Sequence, residues 1–193
     1  MPTSATPNTS PATAAEAKLT IPILERVVDD LAMIVDRNFT ISKAQVSRID
    51  RRAAGKDCVH ISFKLRFDVD GEDRFGALLV PLADAIGLAS YLMMMTDQGV
   101  AEHRGDTELD QSMKDGILEV GNFVGGAVDA IVRESHGGSV RVKSHGCQGV
   151  RPNVRPAFPF NEGDPLLLVS ATAQLHTFDP FEILLMLPEL DPA

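Results

Sequence analysis

Residues 106–134 read DTELDQSMKDGILEVGNFVGGAVDAIVRE. At about 100° per residue, Met113, Ile117, Leu118, Val120, Phe123, Val124, Ala127, Val128, Ile131 and Val132 cover well over half of a helix circumference. Such a helix is mostly buried. The polar residues of its second half fall on one narrow stripe, with Asp115, Glu119 and Asn122 at i, i+4 and i+7, continued by Gly126, Asp129 and Arg133. Asp106 or Thr107 is the expected N-cap, with Glu108 and Asp110 in the first turn, where the helix dipole favours acids. His136-Gly137-Gly138 is the expected stop, because glycine readily takes the left-handed conformation past a helix end.

On either side of this helix the chain repeats a similar order of elements. Residues 1–18 are rich in Pro, Ser, Thr and Ala and read as a disordered tail, which leaves 19–193 as a single domain. Apolar residues recur at helical spacing over 21–35, with Pro22 tolerated in the first turn. In 58–69, Val59, Ile61, Phe63, Leu65, Phe67 and Val69 alternate with His60, Ser62, Lys64, Arg66 and Asp68, a strand with one core face and one wet face. Asp70-Gly71 then supplies a tight hairpin turn, and 72–82 returns as the partner strand. A weaker strand is expected over 44–51 and a helix over 83–95. After the long helix, strands are expected over 140–150, 165–176 and 181–187, with a Pro-rich loop at 151–165. The fold class is therefore α+β in two layers, with two pseudo-symmetric halves, each a helix plus antiparallel strands, sharing a sheet packed by long helices. Ile23-Leu24-Glu25 matches Ile117-Leu118-Glu119, and this alignment sets Val28 opposite Asn122 and Ile21 opposite Asp115. A site on the polar stripe would then exist in one copy.

Composition narrows the function. The chain has 193 residues, 44% hydrophobic and 23% charged, as in an ordinary soluble globule, with a formal net charge of −9. That balance argues against nucleic acid, which needs clustered Lys and Arg. Cys58 and Cys147 are far apart and form no C-x-x-C pattern, so no disulfide framework is expected and a cytoplasmic location fits. No secretory signal is expected. The apolar run 76–96 is interrupted by Pro81 and Asp84, so it reads as a strand and a packed helix rather than a membrane span. Asp68, Asp70, Glu72 and Asp73 lack the spacing of a calcium loop, since Gly71 comes fourth where the sixth position requires glycine. His136, His145 and Cys147 match no zinc-finger spacing.

Asp115-x-x-x-Glu119-x-x-Asn122, inside DGILEVGNFVGGAV, resembles the Asp/Ser-x-x-x-Glu-x-x-Asn signature of the CheC, CheX and FliY phosphatases, which dephosphorylate the chemotaxis response regulator CheY. The order of elements over about 19–187 is similar too, and a single motif copy in the second half is most like CheX. The first proline downstream of Asn122 is Pro152, later than in the family pattern. The resemblance implies a CheX/CheC-like fold and a phosphatase acting on the aspartyl phosphate of a phosphorylated CheY-like response regulator. Asn122 would position the attacking water, Glu119 would dock a lysine of the partner, and Asp115 would support the site. The chain would hold no cofactor of its own, Mg²⁺ being supplied by the partner regulator, and a homodimer is expected. Two rivals use the same stripe: a non-catalytic adaptor binding a response regulator or flagellar switch component, and a hydrolase with Asp115 and Glu119 as paired carboxylates. The second wants aromatic platforms, and the chain has no Trp and one Tyr.

Overall fold

Alternating apolar residues build a seven-stranded antiparallel sheet, seen here in a computed structural model that describes residues 9–161 and 163–190. In chain order the elements are β1 (Thr9–Pro11), α1 (Ala14–Val35), β2 (Phe39–Ile49), β3 (His60–Val69), β4 (Glu72–Pro81), α2 (Leu82–Leu92), α3 (Asp97–His103), α4 (Gln111–Ser135), β5 (Val140–Val150), β6 (Leu166–Leu175) and β7 (Phe181–Pro188). The strands lie in the order β1-β2-β6-β7-β4-β3-β5. Helices α1, α2 and α4 cover one face, burying residues such as Leu24, Val27, Phe63, Leu65, Val120 and Val124. On the other face a smaller core forms under loops, where Ala53 and Phe158 pack on Ala77, Leu79, Leu184 and Met186. No helix among the described residues is long and apolar enough to cross a membrane.

The two halves interlock. Strands β2, β3 and β4 correspond to β5, β6 and β7, and each outer strand pairs with the second strand of the other half: β2 with β6, and β5 with β3. Both outer strands carry a register shift, at Ser42/Gln45 in β2 and beside Ser144 in β5, next to Lys43 and Gly146 in left-handed conformations. Hairpin β3–β4 turns at Asp70 and Gly71, both at positive φ, as expected.

Several expectations need correction. Residues 9–18 are not a disordered tail, although residues 1–8 of that segment lie outside the described residues. Thr13 caps α1 reciprocally: its side chain accepts from the Glu16 N–H, and Glu16 accepts from the Thr13 N–H at 2.7 Å. Glu16 also pairs with Arg48 of β2, and Thr9–Pro11 pairs along β2. Pro22 consequently sits inside α1 rather than in its first turn. The weak strand at 44–51 is the full-length β2, and a further short helix, α3, lies between α2 and α4. His60 and Ser62 are not wet but buried, because the loops of the second core cover that end of β3.

The helical repeat is also out of phase by one residue. Buried Thr20, Ile23, Leu24, Val27, Val28, Leu31 and Val35 of α1 fall in step with Met113, Gly116, Ile117, Val120, Gly121, Val124 and Val128 of α4. In that phase Glu119 and Asn122 correspond to Arg26 and Asp29, and Asp115 to Pro22, so the triplet match is accidental while the conclusion of one motif copy stands.

Glycines set how closely α4 approaches the sheet. A Cβ at Gly125 would lie 2.7 Å from the Ser144 backbone nitrogen, and one at Gly121 would lie 3.2 Å from the Phe63 ring, whereas Gly126 has nothing within 4 Å. Gly126→Ala should stabilise the protein by up to about 1 kcal/mol through helix propensity, while Gly125→Ala should destabilise it by about 1–3 kcal/mol by pushing helix from strand. Urea unfolding compares them, and equal stabilities would contradict this seating of α4.

Candidate functional site on helix α4

Helix α4 begins one turn later than expected. Asp110 is the N-cap, its carboxylate accepting from the Met113 N–H at 2.7 Å, so Asp106–Glu108 precede the helix. It ends as expected: the His136 N–H reaches the Val132 carbonyl at 3.0 Å, and Gly137 and Gly138 take positive φ. His136 is buried against that end while His145 is exposed beside Phe75, with ring centroids 5.3 Å apart. Among the described residues no group of three or more His, Cys, Asp or Glu is placed to hold a metal ion.

Asp115, Glu119 and Asn122 all lie on the exposed face of this otherwise buried helix, next to one another as the spacing predicts. The Asn122 amide Nδ2 donates to Glu119 Oε2 at 2.8 Å. Asp115 accepts instead from Gln111 Nε2 at 2.8 Å, one turn towards the N-terminus. Glu119 and Asn122 thus form one unit, and Asp115 belongs to a neighbouring pair. Beside them Gly126 leaves open space. Leu118, expected among the core residues, is 43% exposed and borders the stripe. Asp115, Glu119 and Asn122 line none of the best-formed surface cavities among the described residues. A convex polar stripe of this kind suits contact with another macromolecule rather than enclosure of a small substrate, which disfavours the paired-carboxylate hydrolase.

The far end of the stripe has a structural role. Asp129 accepts from the Val142 backbone N–H of β5 at 2.7 Å and from Arg141 Nε at 3.2 Å, tying α4 to the sheet. Burial alone would raise its pKa, but these two donors outweigh burial and hold the carboxyl below its ordinary value of 3.8. A depressed pKa contributes stability that is present above the unfolded-state value and lost as the pH falls through the folded one.

No protein-family model matches the sequence, and no curated protein matches it either. Solved structures do match in fold. FliY from Thermotoga maritima superposes with a TM-score of 0.66 at 14% identity, covering 92% of this chain and 91% of that one. CheX from Desulfovibrio desulfuricans gives 0.55 at 12% identity, covering 89% and 99%. The FliM middle domain from H. pylori gives 0.60 at 7% identity, covering 92% and 94%. The chain therefore has the α+β fold of FliY, CheX and CheC-like proteins, a fold that the FliM middle domain shares.

Replacing Asp129 by Asn should cost about 1–2 kcal/mol at pH 7, the worth of hydrogen bonds to a charged group. The difference from wild type should shrink as the pH falls below 3.8, where the native carboxylate takes up its proton. Unfolding curves recorded across that range test this, and a gap that does not vary with pH would contradict it.

Proposed function

We propose that this chain removes the phosphoryl group from the aspartyl phosphate of a CheY-like response regulator. The observation that carries the reading is the exposed Glu119–Asn122 pair, hydrogen-bonded at 2.8 Å on a helix that the sheet holds in place. The fold shared with FliY and CheX supports it.

The chemistry asks little of the chain beyond position. An acyl phosphate is already prone to hydrolysis, and the partner regulator supplies the Mg²⁺ that neutralises phosphate charge, so no nucleophile is needed here. Asn122 enters the partner's site and holds a water in line with phosphorus. An amide suits that task because it donates and accepts without adding negative charge beside the phosphoryl oxygens. Glu119 pairs with a lysine of the regulator and sets the register. In the free chain its carboxylate accepts from Asn122; a lysine arriving at Glu119 competes for that carboxylate and frees the amide for water. Asp115, held by Gln111, supports the surface on the other side.

A second reading is favoured by one observation. The fold is also that of the FliM middle domain, and FliM has been solved in complex with FliG, so the same helix could serve a non-catalytic adaptor in chemotaxis or the flagellar switch. Both readings predict binding, and turnover separates them.

Asn122 is exposed and, among the described residues, its side chain bonds Glu119 alone, so Asn122→Ala should leave thermal unfolding unchanged. It should lower stimulated phosphate release by about 10²-fold or more, the scale of a lost positioning contact. Glu119→Ala should mainly raise KM, by about tenfold for a lost docking charge. Phosphate release from phosphorylated regulators, followed with each variant, measures both effects. Undiminished release by the Asn122 variant would remove the basis for the mechanism.

A further inference from the structure

Next to this stripe, the start of α4 and the outer edge of β5 enclose an apolar cleft of about 290 Å³. Val59, Ile61, Leu82, Leu109, Ile117 and Cys147 line it, Gln148 and Gly149 border it on β5, and among the described residues Lys114 is its one charged lining residue. Strand β5 ends the sheet, and among the described residues no strand pairs with its outer side. One end of that edge is closed, because Asp129 takes the Val142 N–H. The end beside the cleft is covered by no strand of the described residues, and there the Gln148 side chain accepts from the Ala157 N–H at 3.2 Å. An open edge over an apolar cleft is a template for an incoming strand.

The other half of the molecule shows what such an edge takes. There the equivalent strand, β2, is covered by an extended segment of the same chain that runs directly into α1: Thr9 pairs with Ile49, Ser10 with Arg48 and Pro11 with Ser47. The segment running into α4 does not repeat this. Residues 106–109 form no strand, and Thr107 and Leu109 line the far side of the cleft instead. The place that an extended segment fills in one half is left open in the other. It also adjoins the proposed catalytic face: Lys114 and Ile117 belong to the same turns of α4 as Asp115, Leu118 and Glu119.

We infer that this cleft docks an extended apolar segment of the partner, which adds a strand to β5 at Cys147–Val150, places side chains on Ile117 and Leu109, and sets a carboxylate against Lys114. The identity of the partner rests on the phosphatase reading, but the cleft itself does not. Main-chain pairing here would anchor the regulator while Glu119 and Asn122 engage its phosphorylated aspartate.

The probe is the peptide acetyl-Glu-Val-Ile-Val-amide, titrated into the full ¹⁵N-labelled chain. Amide signals of Lys114, Gln148 and Gly149 should shift with added peptide. A Cβ at Gly149 has open space around it, so Gly149→Leu should fold normally while filling the mouth and abolishing the shifts. Lys114→Glu should weaken this peptide and favour acetyl-Lys-Val-Ile-Val-amide instead. Absence of shifts at millimolar peptide overturns the cleft assignment, whatever the phosphatase assay shows. Shifts of the same signals on concentrating the protein alone would assign the edge to a second copy and overturn the partner assignment. With a phosphorylated regulator, Gly149→Leu should raise KM by about tenfold while kcat is kept, and an unchanged KM overturns the docking role. A wild-type chain that binds the peptide but releases no phosphate contradicts the phosphatase reading alone.

Discussion

Helix α4 lies against β5 with backbone nearly touching backbone, and most of what the molecule can do follows from that seating. Gly125 faces the main chain of Ser144 at a distance that leaves no room for a larger residue, and Gly121 sits tightly against the Phe63 ring. The Asp129 carboxylate then fastens the C-terminal half of the helix to Val142 and Arg141. With one side pressed to the sheet and the flanks packed by α1 and α2, a single stripe remains for solvent. A polar pair on that stripe is held by a rigid element, which is what a positioning site requires.

Pseudo-symmetry explains why there is one such pair. Both halves present a long helix, an outer strand with a bulge and two inner strands, and they exchange strand partners across the sheet. The phase of the buried residues places Arg26 and Asp29 where α4 has Glu119 and Asn122. Arg26 is engaged with Asp30 at 2.8 Å, an intrahelical surface pair worth little to stability and without an amide beside it. The halves differ in a second respect, since β1 covers the edge of β2 while part of the edge of β5 is open. The Glu119–Asn122 pair and the open edge fall on the same half.

What could be read from the sequence was what depends on local period. The apolar frequency of α4, the alternation in β3 and the Asp70-Gly71 turn each act over a few residues, and the spacing of Asp115, Glu119 and Asn122 put all three on the exposed face. The start of α4 was ambiguous because Asp106, Thr107 and Asp110 are all good caps, and only the Met113 N–H at Asp110 decides among them. A three-residue identity could not set the relative phase of α1 and α4, since both helices carry adjacent apolar pairs. Strand β2 looked weak because Ser42, Lys43 and Gln45 surround its bulge. Order in 9–18 comes from a cap and from pairing with β2, and burial of His60 and Ser62 comes from distant loops. The cleft beside β5 depends on strand order, which no local pattern encodes.

On the proposed reading, the stripe on α4 turns over a phosphorylated partner rather than merely holding it. The most direct measurement is the decay of phosphorylated CheY-like regulators in the presence of substoichiometric amounts of the purified chain. Catalysis predicts many phosphates released per chain, at a rate proportional to chain concentration. Stable binding of the phosphorylated regulator with no acceleration of its decay would contradict the claim and leave the adaptor.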